Sequence, residues 1–346
     1  MPNGTYGGVR GRLNPPYSIT ELRNERVSYI KVLQNERALH EESGRGSSML
    51  KAIKPKMRTV VALLFIPVVW YVFSVFVPLV TALFYSFFEW KGGPNKTFNG
   101  LANYSRLVSD STFWQAVWHN LLIVLVCIIG QVGIAFILVL MVQSRLAKLK
   151  GVHRTFGFFP STISAVYIGL IWTMIFDYKR GILNWFLETT GHADAARVWL
   201  NEPTLVLGCV SIPLVWQYIG YYMVILFAAI AAVDKEIFEV AELDGANAFQ
   251  RAIYIVLPLI KNMIMVCLTL CISGNMKVFD HIYTMTAGGP GTSSMVMALY
   301  GYKVSFEQSN MGYGSAISVG IFVISLVVIQ GSRALVNLAM KDKGVE

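Results

Sequence analysis

The stretch Val117-Trp-His-Asn-Leu-Leu-Ile-Val-Leu-Val-Cys-Ile-Ile-Gly-Gln-Val-Gly-Ile-Ala-Phe-Ile-Leu-Val-Leu-Met-Val142 decides the fold class, because it holds no Asp, Glu, Lys or Arg. A helix needs about 20 apolar residues to cross the hydrocarbon core of a bilayer, with a range near 17–25. Five further apolar runs occupy about Val60–Phe88, Phe156–Phe176, Thr204–Val233, Pro258–Asn275 and Ser315–Leu338. The longest runs predict tilt or a kink, with Pro67 and Pro78 as kink candidates in the first and Pro213 in the fourth. The short alternating segments of a β-barrel are absent. The expectation is an all-α membrane protein with six transmembrane helices.

Composition agrees. Hydrophobic residues make up 55% of the 346-residue chain and charged residues 14%, with a mean hydropathy of +0.53. A soluble domain carries about 25% charged residues, so a soluble, disordered, collagen-like or disulfide-scaffold chain is excluded. Cys127, Cys209, Cys267 and Cys271 all lie in apolar runs and read as small buried hydrophobes.

The net charge of +9 has basic cytoplasmic loops as its commoner cause in a membrane protein, and no nucleic-acid partner is expected. Residues 1–58, the 143–155 and 234–261 loops and the tail together hold 21 Lys and Arg, and the opposite side holds eight. That imbalance predicts both termini in the cytoplasm. Residues 1–58 contain no spanning segment and no cleavable leader pattern. Within them Pro15-Pro16 precedes Ser18-x-x-Glu21, a capping-box spacing, and Ile19, Leu22, Tyr29, Ile30 and Leu33 recur at helical intervals. A helix lying on the membrane surface or on a partner is expected there. The anticipated division is 1–58 as a cytoplasmic extension, 59–340 as the membrane domain and 341–346 as a cytoplasmic tail.

No G-x-x-x-x-G-K-[ST] phosphate loop and no pair of histidines at metal spacing occurs. No catalytic residue, metal or cofactor is therefore expected on this chain. Asn3, Asn95 and Asn103 match N-x-[ST], a frequent and weak pattern. A proton- or sodium-coupled secondary transporter is the competing class. It would need ionisable residues inside its spans, and the runs hold no Asp, Glu, Lys or Arg apart from Lys261 and Arg333, each near a cytoplasmic end.

Asn120, Gln131, Gln217, Ser273 and Asn275 lie in or at the ends of runs, and each would cost free energy facing lipid unpaired. They are expected to point inward, either bonding helix to helix or meeting a polar ligand. Tyr218, Tyr221 and Tyr222 could stack on a ring-shaped ligand or pack near a helix end. Ser273, Asn275, Gln217, Tyr218 and Tyr221 are the candidate substrate path. Gly288-Gly289-Pro290-Gly291 reads as a tight turn needing positive φ, or as a contact for a docked partner. Small residues in Met311-Gly-Tyr-Gly-Ser-Ala316 permit close helix packing.

The 234–257 loop is acidic although it falls on the basic side, with five carboxylates against Lys235 and Arg251. Asp234 stands where a helix would be capped, and Ile237, Phe238, Ala241 and Ala248 or Phe249 would share an apolar side. Gly245 falls where two short helices would turn. The loop is either a surface-lying amphipathic helix or a partner-docking element.

Glu239-Val-Ala241-x-x-Asp244-Gly245-Ala246, followed by Leu257-Pro258, resembles the E-A-A-x-x-x-G loop of binding-protein-dependent ABC importer permeases. Asn99-Gly-Leu-Ala-Asn-Tyr104 with Asp110-x-x-Phe113-Trp114 is similar to the carbohydrate branch of that family. So are Arg154-Thr-Phe-Gly-Phe-Phe-Pro160, Gly169-Leu-Ile-Trp172, Lys277-Val-Phe-Asp280, Thr286-Ala-Gly-Gly-Pro290 and Met311–Ala316. The likeness covers about residues 57–340 and is nearest to maltose- and glycerol-phosphate-type membrane subunits. Val240 departs from the second Ala of the motif, and Val233-Asp234 stands where Ile-Pro is usual.

The resemblance implies a permease subunit of an ATP-driven sugar importer in a bacterial or archaeal cytoplasmic membrane. Its substrate would be an oligosaccharide, a polyol or a glycerol phosphate. It implies a coupling helix between spans four and five, with Phe238, Glu239, Ala241, Asp244, Gly245 and Ala246 meeting the ATPase. The implied partners are a second permease subunit of different sequence, two ATP-binding subunits that hold ATP and Mg, an extracytoplasmic solute-binding protein and membrane lipid.

Overall fold

The computed structural model describes residues 56–143 and 150–341. The Ser18–Leu33 helix, nearly all of the N-terminal extension and the tail beyond 341 lie outside the described residues. The chain forms two compact units, Met1–Phe76 and Val77–Glu346.

In the first unit, α1 (Met57–Tyr71) contains Pro67 and leads into a π-helical turn, Val72–Phe76. Ser74 donates its hydroxyl to Trp70 O at 2.7 Å. Nothing in α1 is buried, and Leu63, Phe65, Ile66 and Trp70 are exposed, as suits a helix solvated by lipid.

The second unit begins with α2 (Val77–Tyr85). A two-stranded hairpin follows, β1 (Phe88–Trp90) against β2 (Lys96–Phe98), with Phe88 opposite Phe98 and Trp90 opposite Lys96. Next come α3 (Ala102–Ser109), α4 (Ser111–Cys127), a π turn (Ile128–Gly133) and α5 (Ile134–Gln143). Then α6 (Lys150–Phe158), a 3-10 turn (Phe159–Thr162), α7 (Ala165–Ile175), α8 (Ile182–Thr189) and α9 (Val206–Ala231) follow. The series closes with α10 (Lys235–Leu243), α11 (Ala248–Gln250), a π turn (Arg251–Val256), α12 (Leu257–Leu259), α13 (Lys261–Asn275), α14 (Asp280–Met285), α15 (Met297–Tyr302) and α16 (Met311–Lys341).

Among the described residues, four stretches are long and apolar enough to cross a membrane: Met57–Tyr85, Ser111–Val142, Val206–Ala231 and Met311–Leu338. Pro213 sits inside α9, which continues through it as one helix. The other two expected spans are broken. Thr155–Thr162 meets Ala165–Ile175 at 102°, and Ala248–Leu259 meets Lys261–Asn275 at 79°. Pro160 enters the 3-10 turn and Ile163 and Ser164 are extended, while Pro258 is the second residue of α12 and Ile260 leaves helical geometry. Each break lies within four residues of a proline, whose missing N–H leaves the carbonyl four residues before it without its usual α-helical partner. Counting each bent pair as one span gives up to six.

Phe113, Ile123, Ile168, Leu214, Leu226, Ile272 and Met297 are fully buried. Lipid tails are as apolar as these side chains, so close packing rather than escape from water drives helix association in a bilayer. Gly220 on α9 shows how close the approach is, since a Cβ there would fall 1.8 Å from Gly157 O on α6. At the start of α16, a Cβ on Gly312 would fall 2.1 Å from Phe88 O, so the small residues of 311–316 do serve packing. The four cysteines are free and buried, as read.

The ends of α3, α4, α15 and α16 are tied by Asp110. Its Oδ1 caps α4 by accepting from Thr112 N at 2.9 Å and Phe113 N at 3.1 Å, and its Oδ2 accepts from the hydroxyls of Tyr300 and Tyr313. The Arg106 guanidinium lies 4.0 Å from the Tyr313 ring centroid. Asn103 Nδ2 donates to Ser86 O and Phe88 O. That use explains its place in the Asn99–Tyr104 motif and withdraws it as a glycosylation acceptor.

Candidate functional site

Two sites emerge, a surface element on α10–α12 and a cavity beside α9, α13 and α14. In the element, Asp234 holds the N-cap position of α10 but its side chain makes no capping bond. The carboxylate still faces the positive end of a helix dipole. At the other end, Gly245 takes φ +75°; Gly245 N donates to Glu242 O at 3.2 Å and Ala246 N to Ala241 O at 3.0 Å. That is the Schellman pattern, which needs a left-handed residue and favours glycine. The chain then restarts at once. Asn247 and Gln250 form a reciprocal capping box, each side chain accepting the other's backbone N–H at 2.9 Å.

Of the six coupling residues named from the sequence, Ala241 is buried and Phe238 packs half-buried against the chain's own core. Ala246 is half-buried, whereas Glu239, Asp244 and Gly245 are exposed. The open apolar side chains are instead Leu243, at 87% exposure, and Phe249, at 73%. A groove of about 490 Å³ runs along this element, floored by Ile237, Val240, Ala241 and Ile255 and edged by Glu236 and Asp244. Arg251 reaches Glu242 at 3.9 Å, an exposed contact worth about 0–1 kcal/mol.

The cavity has a volume of about 420 Å³; Gln131, Tyr218, Tyr221, Tyr222, Asn275, Lys277, Phe279, Asp280 and His281 are in its wall. Three of the five residues proposed for the substrate path therefore come together: Asn275, Tyr218 and Tyr221. Gln217 stands behind the wall, bonded to His281. Ser273 is half-buried and not among the lining residues. His281, Lys277 and Asp280 escaped notice as site residues. Their signal was three polar residues among five, Lys277-Val-Phe-Asp-His281, directly after an apolar run.

The buried amides brace this wall. Gln217 Nε2 donates to Ile163 O at 2.9 Å, which leaves Gln217 Oε1 to accept from His281 Nε2 at 2.8 Å. A carbonyl can only accept, so this chain fixes both the amide orientation and the histidine tautomer. Burial holds His281 well below the usual imidazole range, near pKa 4, against the opposing pull of Asp280. The ring is neutral at physiological pH. Gln131 Nε2 donates to Leu214 O at 2.9 Å, and Asn275 Nδ2 donates to Cys271 O at 2.8 Å. Asn275 Oδ1 has no partner among the described residues.

Asn120 lies elsewhere and is saturated. Its Nδ2 donates to Asn275 O at 3.0 Å and its Oδ1 accepts from Met297 N at 2.8 Å. It joins α4 to α13 and α15, the helix-to-helix alternative of the two expected for it. Arg333 Nε donates to Thr269 Oγ1 at 3.2 Å, joining α16 to α13. The 288–291 turn places Gly288 at φ +89° and Gly291 at +58°, as its composition required.

Residues 135–338 match the family model described as "Binding-protein-dependent transport system inner membrane component". A probable ABC transporter permease protein of Bacillus subtilis, YurN, is 33% identical over 268 residues, 77% of this chain and 92% of that protein. The trehalose/maltose transport system permease protein MalF of Thermococcus litoralis is 32% identical over 235 residues, 67% of this chain and 78% of the other. Among solved structures, a bacterial ABC transporter that imports the acidic polysaccharide alginate superposes with a TM-score of 0.70. That match has 19% identity and covers 81% of this chain and 95% of that one. With its spans, its turn at Gly245 and this match over more than half its length, the chain belongs to the binding-protein-dependent transport system inner membrane component family, the non-enzymatic permease subunits of ABC transporters.

Proposed function

We propose that the chain is one half of the translocation pathway of an ATP-driven sugar importer, with six spans and both termini in the cytoplasm. Four unbroken apolar helices and two bent pairs support the span count, and the excess of basic residues on one side supports the orientation. A trehalose/maltose permease among the relatives supports the sugar class.

The observation that carries the coupling role is the compact helix–turn–helix at 235–250, held by its own Schellman turn and capping box and bearing exposed Leu243 and Phe249. Such an element costs its partner little ordering entropy on docking. ATP and Mg belong to two partner ATPases, one of which seats on this element. A solute-binding protein delivers ligand, a second permease of different sequence completes the path, and the site alternates in access. The pathway cavity supplies aromatic faces and neutral amides, the equipment for polyhydroxyl ligands. Relatives from Bacillus subtilis and Thermococcus litoralis support a bacterial or archaeal cytoplasmic membrane as its location.

Uptake of labelled trehalose, maltotriose and lactose into vesicles holding the assembly tests this. ATP should drive uptake without an ion gradient; uptake driven by a proton or sodium gradient alone would indicate a secondary transporter.

A further inference from the structure

We propose that Asp280 and Lys277 form a charge-balanced selectivity pair in the pathway cavity, which admits neutral saccharides and rejects anionic ones. This rests on the sugar-importer reading. Both residues are exposed in the cavity wall, three positions apart. Neither is in an ion pair among the described residues, so each keeps its hydrogen-bonding capacity for a ligand. The other polar wall residues carry no charge. Gln131 and Asn275 are amides, and His281 is held neutral by burial and donates to Gln217. The wall therefore has one cation, one anion and a net charge of zero.

A carboxylate accepts from adjacent hydroxyls and an ammonium donates to hydroxyl or ring oxygens. Hydrogen bonds to charged groups are about twice as strong as neutral ones. A sugar hydroxyl both donates and accepts, so a neutral saccharide can use both groups together. A uronate or sulfonate would gain from Lys277 but meet Asp280 as a like charge in a cavity partly screened from water. The aromatic faces of Tyr218, Tyr221 and Phe279 complete a site for the apolar side of a pyranose.

The test is equilibrium dialysis of labelled maltotriose, lactose and diacetylchitobiose, and of trigalacturonate, against the full assembly in nanodiscs without its binding protein. Wild type should retain at least one neutral saccharide and not trigalacturonate. Asp280→Asn should weaken that neutral ligand about tenfold and raise trigalacturonate binding, while Asp280→Glu should restore the wild-type preference. Lys277→Gln should weaken the neutral ligand and leave trigalacturonate excluded. Neutral binding unchanged in Asp280→Asn, or trigalacturonate held by wild type as tightly as a neutral sugar, overturns the pair. Retention of no saccharide by wild type defeats the sugar reading itself, and the pair with it.

Discussion

Tyr313 donates its hydroxyl to Asp110 Oδ2 at 2.5 Å, joining the start of α16 to the cap of α4 across 203 residues of sequence. Tyr313 is fully buried, and Tyr300 shares the same oxygen. Burial alone would raise the Asp110 carboxyl, but hydrogen bonds from Tyr300, Tyr313, Phe113 and Thr112 outweigh it and hold the pKa below the usual value. Removing the carboxylate leaves a buried hydroxyl unsatisfied, at about 1–3 kcal/mol, and strips a helix cap, at about 1 kcal/mol. Asp110→Ala should lower the melting temperature of the assembly in detergent by several degrees, more than Arg106→Ala does.

The same cluster gives a pH dependence. A depressed folded pKa means that the Asp110 contribution is present above the unfolded carboxyl pKa and is lost as pH falls through the folded one. Tyr300 is shifted the other way, to about 12, by burial and then by its bond to Asp110. Its contribution is complete below the unfolded phenol pKa of about 10 and is lost as pH rises through the folded value. Asp110→Asn should flatten the acid limb of a melting-temperature profile against pH, and an unchanged limb would assign acid loss to other groups.

Gly245→Val should uncouple the importer without removing it from the membrane. A β-branched residue at φ +75° is strained by about 1–2 kcal/mol, and no neighbouring atom lies within 4 Å of an added Cβ, so the effect is on the backbone turn alone. Transport and stimulated ATPase should fall while the subunit is still recovered in membranes. A normal transport rate would show that the turn does not matter.

Partner docking should depend on the open side chains. A fully buried large apolar side chain contributes about 1.5–3 kcal/mol, so Leu243→Ala and Phe249→Ala should each reduce ATPase co-purification at high salt, while Glu236→Gln should matter little. Phe238→Ala should act instead through its own subunit, as lower thermal stability, because that ring already packs on the core. Release of the wild type itself by high salt, with loss at low salt in Glu236→Gln but not in Leu243→Ala or Phe249→Ala, would point to a purely electrostatic dock.

Run length made the helices legible, since apolar stretches beyond 25 residues such as Val117–Val142 have few alternatives to a span. Gly245 was legible because a lone glycine in a helix-forming stretch marks a left-handed cap. The bends at 163–164 and 260 were not. Composition reports how apolar a segment is, not its direction, and the kink candidates were Pro67, Pro78 and Pro213, within stretches that continue as single spans, instead of Pro160 and Pro258. The Asn247-x-x-Gln250 box lay unread, although the turn expected at Gly245 divides the loop into two short helices. The cavity was half legible. Asn275 and the tyrosines follow from the cost of polar groups in lipid, but the inward approach of Lys277, Asp280 and His281 depends on where α14 turns back, which no local pattern encodes.

ATP hydrolysis by the purified assembly in proteoliposomes tests the central claim most directly, measured with and without its solute-binding protein and sugar. The account predicts hydrolysis that rises only when the sugar-loaded binding protein is present, and that loses this response in Gly245→Val. Hydrolysis indifferent to the binding protein, or stimulation that survives intact in Gly245→Val, would contradict it.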